Sequence, residues 1–502
     1  MKRALARSAV IAAFALTACR VGPNYTKPSA PAPPAFKEAP PVDFKEAEAA
    51  GWKQSQPGDA FEKGKWWELY GDPELNKLEE QVSISNQNVA QAEARYRQAK
   101  SEVRIARAAL FPTLTTGPSV TVSRAGSGTS GTSGTTSGST SASTSSSGVR
   151  TFFNLPFDAS WEPDLWGSIR RNITAGVANA QAFAADLENA KLLYQAELAQ
   201  DYFQLHTTDA DAALLRRTEA SYQEYLKLTR DRFAGGVASD LDVAQAETQL
   251  YGTQSALIDL GVQRAQLEHA MAILIGKAPV ELSIAEAALK NTPPPVPVGV
   301  PSQLLERRPD IAGAERRVAT ANEQIGIAIA AFYPTLTLSG SAGLQGTSIG
   351  KLLSWPARVW SVGPQLAETL FDAGRRRAVV VEQRAAYDAT VAAYRQTVLT
   401  ALQQVEDNLA ALRILETEGA KIDQTIASAT RALNVSTAQY RAGTASYLTV
   451  IISQAALLSE ERNAVTLLGR RMNASVLLIQ ALGGGWNESK LPDRQTVSSK
   501  SN

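Results

Sequence analysis

RFAGGVASDLDV at residues 232–243 and QYRAGTASYLTV at residues 439–450 are one segment written twice, 439 − 232 = 207 positions apart. Five of the twelve columns are identical: Gly236/Gly443, Ala238/Ala445, Ser239/Ser446, Leu241/Leu448 and Val243/Val450. A sixth pairs Phe233 with Tyr440. The same offset carries Gly167 to Gly374 and Gly276 to Gly483, so the register holds without a gap over 276 − 167 = 109 positions. Chance similarity does not sustain that; the chain is a duplicated unit. In each copy the glycine permits the left-handed residue that a tight helix stop requires. The serine stands where the N-cap of a returning helix belongs.

Working outward, residues 168–232 and 375–439 lack proline, and each spans on the order of 100 Å as a helix. Val391, Tyr394, Val398, Leu402, Val405, Leu409, Leu412 and Leu415 are spaced 3, 4, 4, 3, 4, 3 and 3, a coiled-coil seam. The first copy repeats it as Leu198/Val405, Tyr202/Leu409, Leu205/Leu412 and Leu215/Ile422. The returning helices run to about Gly276 and Gly483.

Ahead of each long helix the period changes. Residues 112–124 and 149–161 are rich in Thr, Val and Phe and read as strands, as do 333–345 and 357–371 in the second copy. The Ser/Gly/Thr tract 126–148 between the first pair cannot build a core and reads as a long hairpin loop. From Pro112 to Pro334 the offset is 222, against 207 from Gly167 onward, so the first copy carries fifteen extra residues, largely this tract. A helical pattern covers 74–109, with Asp72 as cap and Pro73 in the first turn.

The N-terminus reads as a secretory signal over 1–18, with Lys2, Arg3 and Arg7 ahead of a short apolar run. Leu16-Thr17-Ala18-Cys19 resembles a bacterial lipobox, and Cys19 is the chain's one cysteine, so lipidation there is expected. Arg20 follows rather than Asp, so the usual inner-membrane retention signal is missing. A diacyl anchor supplies the two chains that stable attachment needs. Residues 19–65 read as a lipidated extended segment, 66–288 as the first repeat with a helical hairpin over 168–276, and 289–308 as a Pro-rich linker. The second repeat is 309–485 with a hairpin over 375–482, and 486–502 is a tail. The balance of 50 Lys+Arg against 49 Asp+Glu argues against a nucleic-acid partner. Two histidines and one cysteine leave little for metal, cofactor or nucleophile chemistry. His206 and His269 lie in helices with no nucleophile motif nearby, so they read as ordinary helical residues and the chain as no enzyme. No run of eighteen apolar residues indicates a transmembrane helix.

Four strands cannot close a barrel, and an open sheet leaves unpaired edges. An exported lipoprotein can close it by combining protomers; three would give twelve strands, though that number does not follow from the sequence.

CRVGPNYTKP (19–28), WWELYGDPELNKL (66–78), ALFPTL (109–114), LLERRPDIAGAERRVATANEQIGIAIAAFYPTL (304–336), LFDAGRRR (370–377) and QYRAGTASYLTV together resemble the TolC-like outer-membrane factors, in their lipoprotein, NodT-like branch. The resemblance covers essentially the whole mature chain. It implies a homotrimer combining a membrane β-barrel of twelve strands with a coiled-coil barrel of twelve periplasmic helices. Such a channel sits in outer-membrane lipid. It is the exit duct of a tripartite efflux system, joined through a periplasmic adaptor to an inner-membrane RND-type pump. It also implies that the two turns form the periplasmic tip, where the tunnel closes and the adaptor docks. Gly236, Ser239, Asp240, Asp242, Gly443 and Ser446 then belong to the docking turns, and Tyr440, Leu448, Thr449 and Ile452 to the constriction.

The resemblance implies carboxylates, common among family members, where this chain has Thr449 and Ile452, and an arginine, often found there, where it has Ala445. A constriction closed by apolar packing of Leu448 and Ile452, with dewetting as the barrier, is therefore expected. Asp240 and Asp242 are the acids near this mouth, though solvated turn residues are their simpler reading. A periplasmic adaptor lipoprotein is the alternative, but it would lack the duplication.

Overall fold

The computed structural model describes residues 20–38, 64–124, 149–289, 292–296 and 304–498. The signal segment, Cys19, the tract 126–148 and parts of the spacer and linker lie outside the described residues. In chain order the elements are α1 (Pro73–Ser85), α2 (Gln87–Ala108), β1 (Thr113–Thr116), β2 (Ser119–Arg124), β3 (Val149–Trp161), α3 (Ser168–Ala234) and α4 (Asp240–Leu274). The second copy supplies α5 (Pro309–Ala330), β4 (Thr335–Gly346), β5 (Arg358–Ala367), α6 (Arg375–Arg441) and α7 (Tyr447–Ala481). Among the described residues two compact units result, one drawn from 20–26, 100–124, 149–178 and 319–388, the other from 27–38, 64–99, 179–289, 292–296, 304–318 and 389–498. Each draws on both repeats, so packing cuts across the duplication. No described helix is long and apolar enough to cross a membrane.

The first unit is built on an antiparallel sheet. Its lanes run β1/β2, β3, β4, β5, with both β1 and β2 on one side of β3. The two copies meet at β3–β4, from Phe153↔Gly346 to Trp161↔Leu338. The strand expected over 112–124 is split, because Pro118 has no N–H to give the ladder. Register survives the gap, with Thr116 opposite Phe157 and Ser119 opposite Asn154. The strand expected to reach 371 stops at Ala367, since Asp372 is already capping α6. Its carboxylate accepts from the Gly374 and Arg376 amides at 3.1 and 3.2 Å and pairs with the Arg376 guanidinium at 2.7 Å. Because successive residues alternate faces, the register places Val120, Phe153, Leu155, Leu344, Trp360 and Val362 on one face. The other face is largely polar, with Asn154, Asp158, Ser339, Ser341, Gln345 and Ser361.

In this unit the chain after Cys19 is anchored. Arg20 pairs with Glu323 at 2.6 Å, and the wholly buried Arg171 pairs with the same carboxylate at 2.8 Å while donating to the Val21 carbonyl.

The second unit is helical, and the seam read from sequence forms its core. Tyr394, Val398, Val405, Leu409 and Leu415 are buried, as are Leu198, Tyr202, Leu205 and Leu215, while Val391, Leu402, Leu412 and Ile422 are half-buried and Ala401 is buried beside Leu402. Asp72 caps α1 as expected, accepting from the Glu74 and Leu75 amides. The helix expected over 74–109 is broken at Asn86, whose Oδ1 accepts from the Asn88 and Val89 amides and whose Nδ2 donates to the Leu274 carbonyl at 2.8 Å.

That break is itself duplicated. At the early offset 86 + 222 = 308, and Arg308 also stands between a short helical turn (Leu304–Arg307) and α5. At the later offset 274 + 207 = 481, and Arg308 Nη1 donates to the Ala481 carbonyl at 2.9 Å. Asn86 and Arg308 thus hold the last turns of α4 and α7. The next glycines, Gly276 and Gly483, have φ of 70° and 93° and lie so close that a Cβ would overlap the carbonyl oxygens of Ser85 and Arg307.

Substituting two left-handed glycines separates strain from crowding. Gly443 has φ 76° and a Cβ there would meet only the Arg232 guanidinium, at an ordinary 3.9 Å, so Gly443→Ala is expected to cost about 1 kcal/mol, the left-handed penalty alone. Gly483→Ala adds a backbone collision and is expected to cost more than about 3 kcal/mol. Chemical unfolding followed by helical circular dichroism measures both, and equal losses would show that the close approach carries no weight.

Candidate functional site

The two turns of the repeated segment close in the same way. Gly236 and Gly443 have φ of 74° and 76°. The Val237 amide donates to the Arg232 carbonyl at 2.9 Å and the Thr444 amide to the Gln439 carbonyl at 3.0 Å, the six-to-one bond of a Schellman stop. The returning helices start differently. Ser239 Oγ accepts from the Asp242 amide at 3.2 Å, while Asp242 Oδ2 accepts from the Ser239 amide at 2.9 Å, a complete capping box. Ser446 occupies the N-cap of α7, yet its side chain accepts no capping bond. Thr449, at the position of Asp242, has no carboxylate to return the bond. Asp242 is therefore engaged in the cap, and Asp240 is exposed.

Leu448, Thr449 and Ile452 point outward, with Leu448 48% and Ile452 61% exposed. The first turn exposes Phe233, Val237 and Leu241 as well. Tyr440 is placed otherwise. Only 5% exposed, it lies in a buried cluster with Tyr222, Leu226, Leu250, Tyr447 and Val450, its ring 5.4 Å from that of Tyr447. Burial raises the pKa of Tyr447 and of Tyr222, so both phenols stay neutral.

Arg232 is the site residue the sequence reading passed over. Its Nη1 donates to the Tyr440 carbonyl at 2.8 Å, and its guanidinium lies over the Tyr440 ring at 4.5 Å. The end of α3 is thereby tied to the end of α6. The signal that could have found it is its position in the first column of the repeat, where the second copy has Gln439. Arg232 supplies a basic tie at the turns, where Ala445 carries no charge.

His206 is also more than an ordinary helical residue; His269 is exposed. The His206 ring is buried, with Nδ1 2.7 Å from the Ala287 carbonyl and 3.6 Å from Asp209. Asp209 pairs with Arg264 at 2.8 Å and accepts from the Ala287 amide. These groups clasp the segment after α4 onto α3. Burial opposes charge on the ring, but Asp209 and the Ala287 carbonyl outweigh it, so its pKa is raised.

A sheet with one apolar and one polar face, followed in each copy by a proline-free helical hairpin, fits an outer-membrane channel protein. Comparison with known proteins agrees. The profile of the outer membrane efflux protein family matches residues 78–277 and 300–484. The pyoverdine export outer membrane protein OpmQ of Pseudomonas aeruginosa is 31% identical over 465 residues, covering 92% of this chain and 95% of that protein. The probable efflux pump outer membrane protein TtgC of Pseudomonas putida is 30% identical over 505 residues, covering 98% of each. The solved structure of the outer-membrane channel OprN superposes with a TM-score of 0.80 at 28% identity, covering 93% of this chain and all of that one. The chain belongs to the outer membrane efflux protein family. It is an outer-membrane efflux channel with a periplasmic helical region, its relatives are channel proteins, and the adaptor alternative finds no support.

Arg232→Ala removes a charged donor that spans the turns. Amide exchange over 439–450 is expected to accelerate roughly tenfold, with Arg232→Lys intermediate; unchanged exchange would mean the tie is passive. His206 gives a pH signature. A raised folded pKa stabilises fully below the ordinary value of 6.5 and ceases to do so as pH climbs through the folded value. Wild-type stability should decline in that window, and His206→Phe should flatten the slope at a lower overall stability.

Proposed function

We propose that three copies of this chain close a twelve-stranded barrel and a twelve-helix tunnel, forming the exit duct of a tripartite pump. The open sheet supports this, since β1/β2 and β5 are unpaired edges among the described strands and four lanes per protomer make twelve in a trimer. The face bearing Trp360 and Val362 meets lipid, and the face bearing Asn154 and Ser341 meets water. The lipobox at Cys19, just ahead of the anchored Arg20, adds a diacyl tether. A periplasmic adaptor docks on the turns around Gly236, Ser239, Asp240, Asp242, Gly443 and Ser446, and an inner-membrane RND-type pump supplies the energy. The cargo is small molecules such as drugs or toxic compounds. Relatives named for pyoverdine export and for toluene efflux are similarly distant, at 31% and 30% identity.

The observation that carries the gate is the outward, uncharged row Leu448, Thr449, Ile452 on the first turns of α7. In a closed tip the apolar Leu448 and Ile452 exclude water, and exclusion of water stops ions. Tyr440 acts from behind, as packing that holds the row in place.

Planar-bilayer conductance tests the gate. Ile452→Asp is expected to raise conductance several-fold and shift selectivity toward cations. A wild-type pore that is already strongly cation-selective, together with an Ile452→Asp variant that behaves identically, would overturn the apolar gate.

A further inference from the structure

One end of the sheet carries cations without carboxylates. The helices join the strands at Thr113, Trp161, Thr335 and Ala367, which the register places at one end. At the other end lie Arg124, Arg150, Lys351 and Arg358, all exposed. Residues 108–157 and 333–367 contain no Asp or Glu, and the strands' one acid, Asp158, opposes Thr115 and Ser341 nearer the helix end. Arg124, Lys351 and Arg358 have no ion pair among the described residues.

The faces sharpen this. Arg124 shares its face with Val120 and Val122, and Arg358 continues the face of Trp360 and Val362, opposite Leu344. The apolar face thus ends in arginine at this rim. The Arg358 guanidinium stacks on the Trp355 ring at 3.9 Å, and Trp355, Leu353 and Ile349 are exposed around it. Arg150 alternates onto the polar face. Arg124, Lys351 and Arg358, with no counter-charge among the described residues and at the edge of an apolar surface, suit an anionic lipid headgroup more than bulk water. Guanidinium forks match phosphate oxygens in pairs.

With the helices periplasmic, this rim faces the outer leaflet. We infer that Arg124, Lys351 and Arg358 bind the phosphates of that leaflet's phosphorylated glycolipid, its acyl chains lying against the Trp360 face. In the proposed trimer the β5 edge meets the β2 edge of the neighbour, bringing Arg358 and the partner subunit's Arg124 to one seam; that two-chain seam rests on the trimer reading.

Native mass spectrometry of the full chain in mild detergent, mixed with bis-phosphorylated lipid A, dephosphorylated lipid A or phosphatidylglycerol, tests the rim. Bis-phosphorylated lipid A is expected to be retained best, with retention weakening about five-fold for each of Arg124→Gln, Lys351→Gln and Arg358→Gln. Arg150→Gln, on the other face, should leave it unchanged. Equal retention of all three lipids, or no loss in the variants while circular dichroism shows an intact sheet, would overturn the inference. An equal loss in Arg150→Gln would overturn it too. The same spectra weigh the assembly. A stoichiometry other than three with arginine-dependent retention rejects the trimer and keeps the rim; three chains with indifferent retention do the reverse.

Discussion

A side chain from a helix break holding the last carbonyl of a returning helix is the contact on which both hairpins depend. Asn86 makes it to Leu274 and Arg308 to Ala481. The helix end is among the four orphan carbonyls that every α-helix leaves, and here it is satisfied by a residue far away in sequence. Directly beyond, the left-handed Gly276 and Gly483 let the chain approach the same break closely. Asparagine and arginine differ in size and charge, yet both supply an N–H donor at that point. Arg308 adds a salt bridge to Asp310 and a bond to Gln404, which explains the Arg-Pro-Asp stretch without invoking chemistry.

With the far ends fixed, the turns can differ. The first is self-contained through the Ser239–Asp242 capping box, whereas the second lacks that bond and leans on the Tyr440–Tyr447 cluster and on Arg232 from its neighbour. The second turn also has the Thr444 hydroxyl donating to the Gln439 carbonyl at 3.1 Å, a bond that Val237 cannot make in the first. The duplicated unit thus has one turn closed by its own capping box and one held by the cluster behind it, and the second presents Leu448 and Ile452. The physical difference lies in the columns where the copies diverge, Asp240 against Tyr447 and Asp242 against Thr449.

Much of this was legible in the chain. Repeat, seam and turn glycines were readable because each is a local or periodic requirement: a positive φ needs glycine, and a packed stripe needs apolar residues at helical spacing. The break at Asn86 was not, because asparagine within a helical pattern carries no local signal and its partner Leu274 is 188 residues away. Arg232 escaped for the same reason, since a solvated arginine at a helix end is the usual case. His206 looked ordinary because its partners Asp209 and Ala287 meet only after the chain folds back.

By itself the sequence determined the duplication, the helical hairpins, the strand pairs and the family resemblance, since all follow from repetition and residue period. The tertiary structure alone decided that the compact units cut across the repeats, that β3 pairs with β4, and that the sheet has an apolar and a polar face. It also decided that Tyr440 lies inside the packing while Leu448 and Ile452 lie outside. Register and burial depend on which distant segments meet, and the pattern along one segment does not encode its partner.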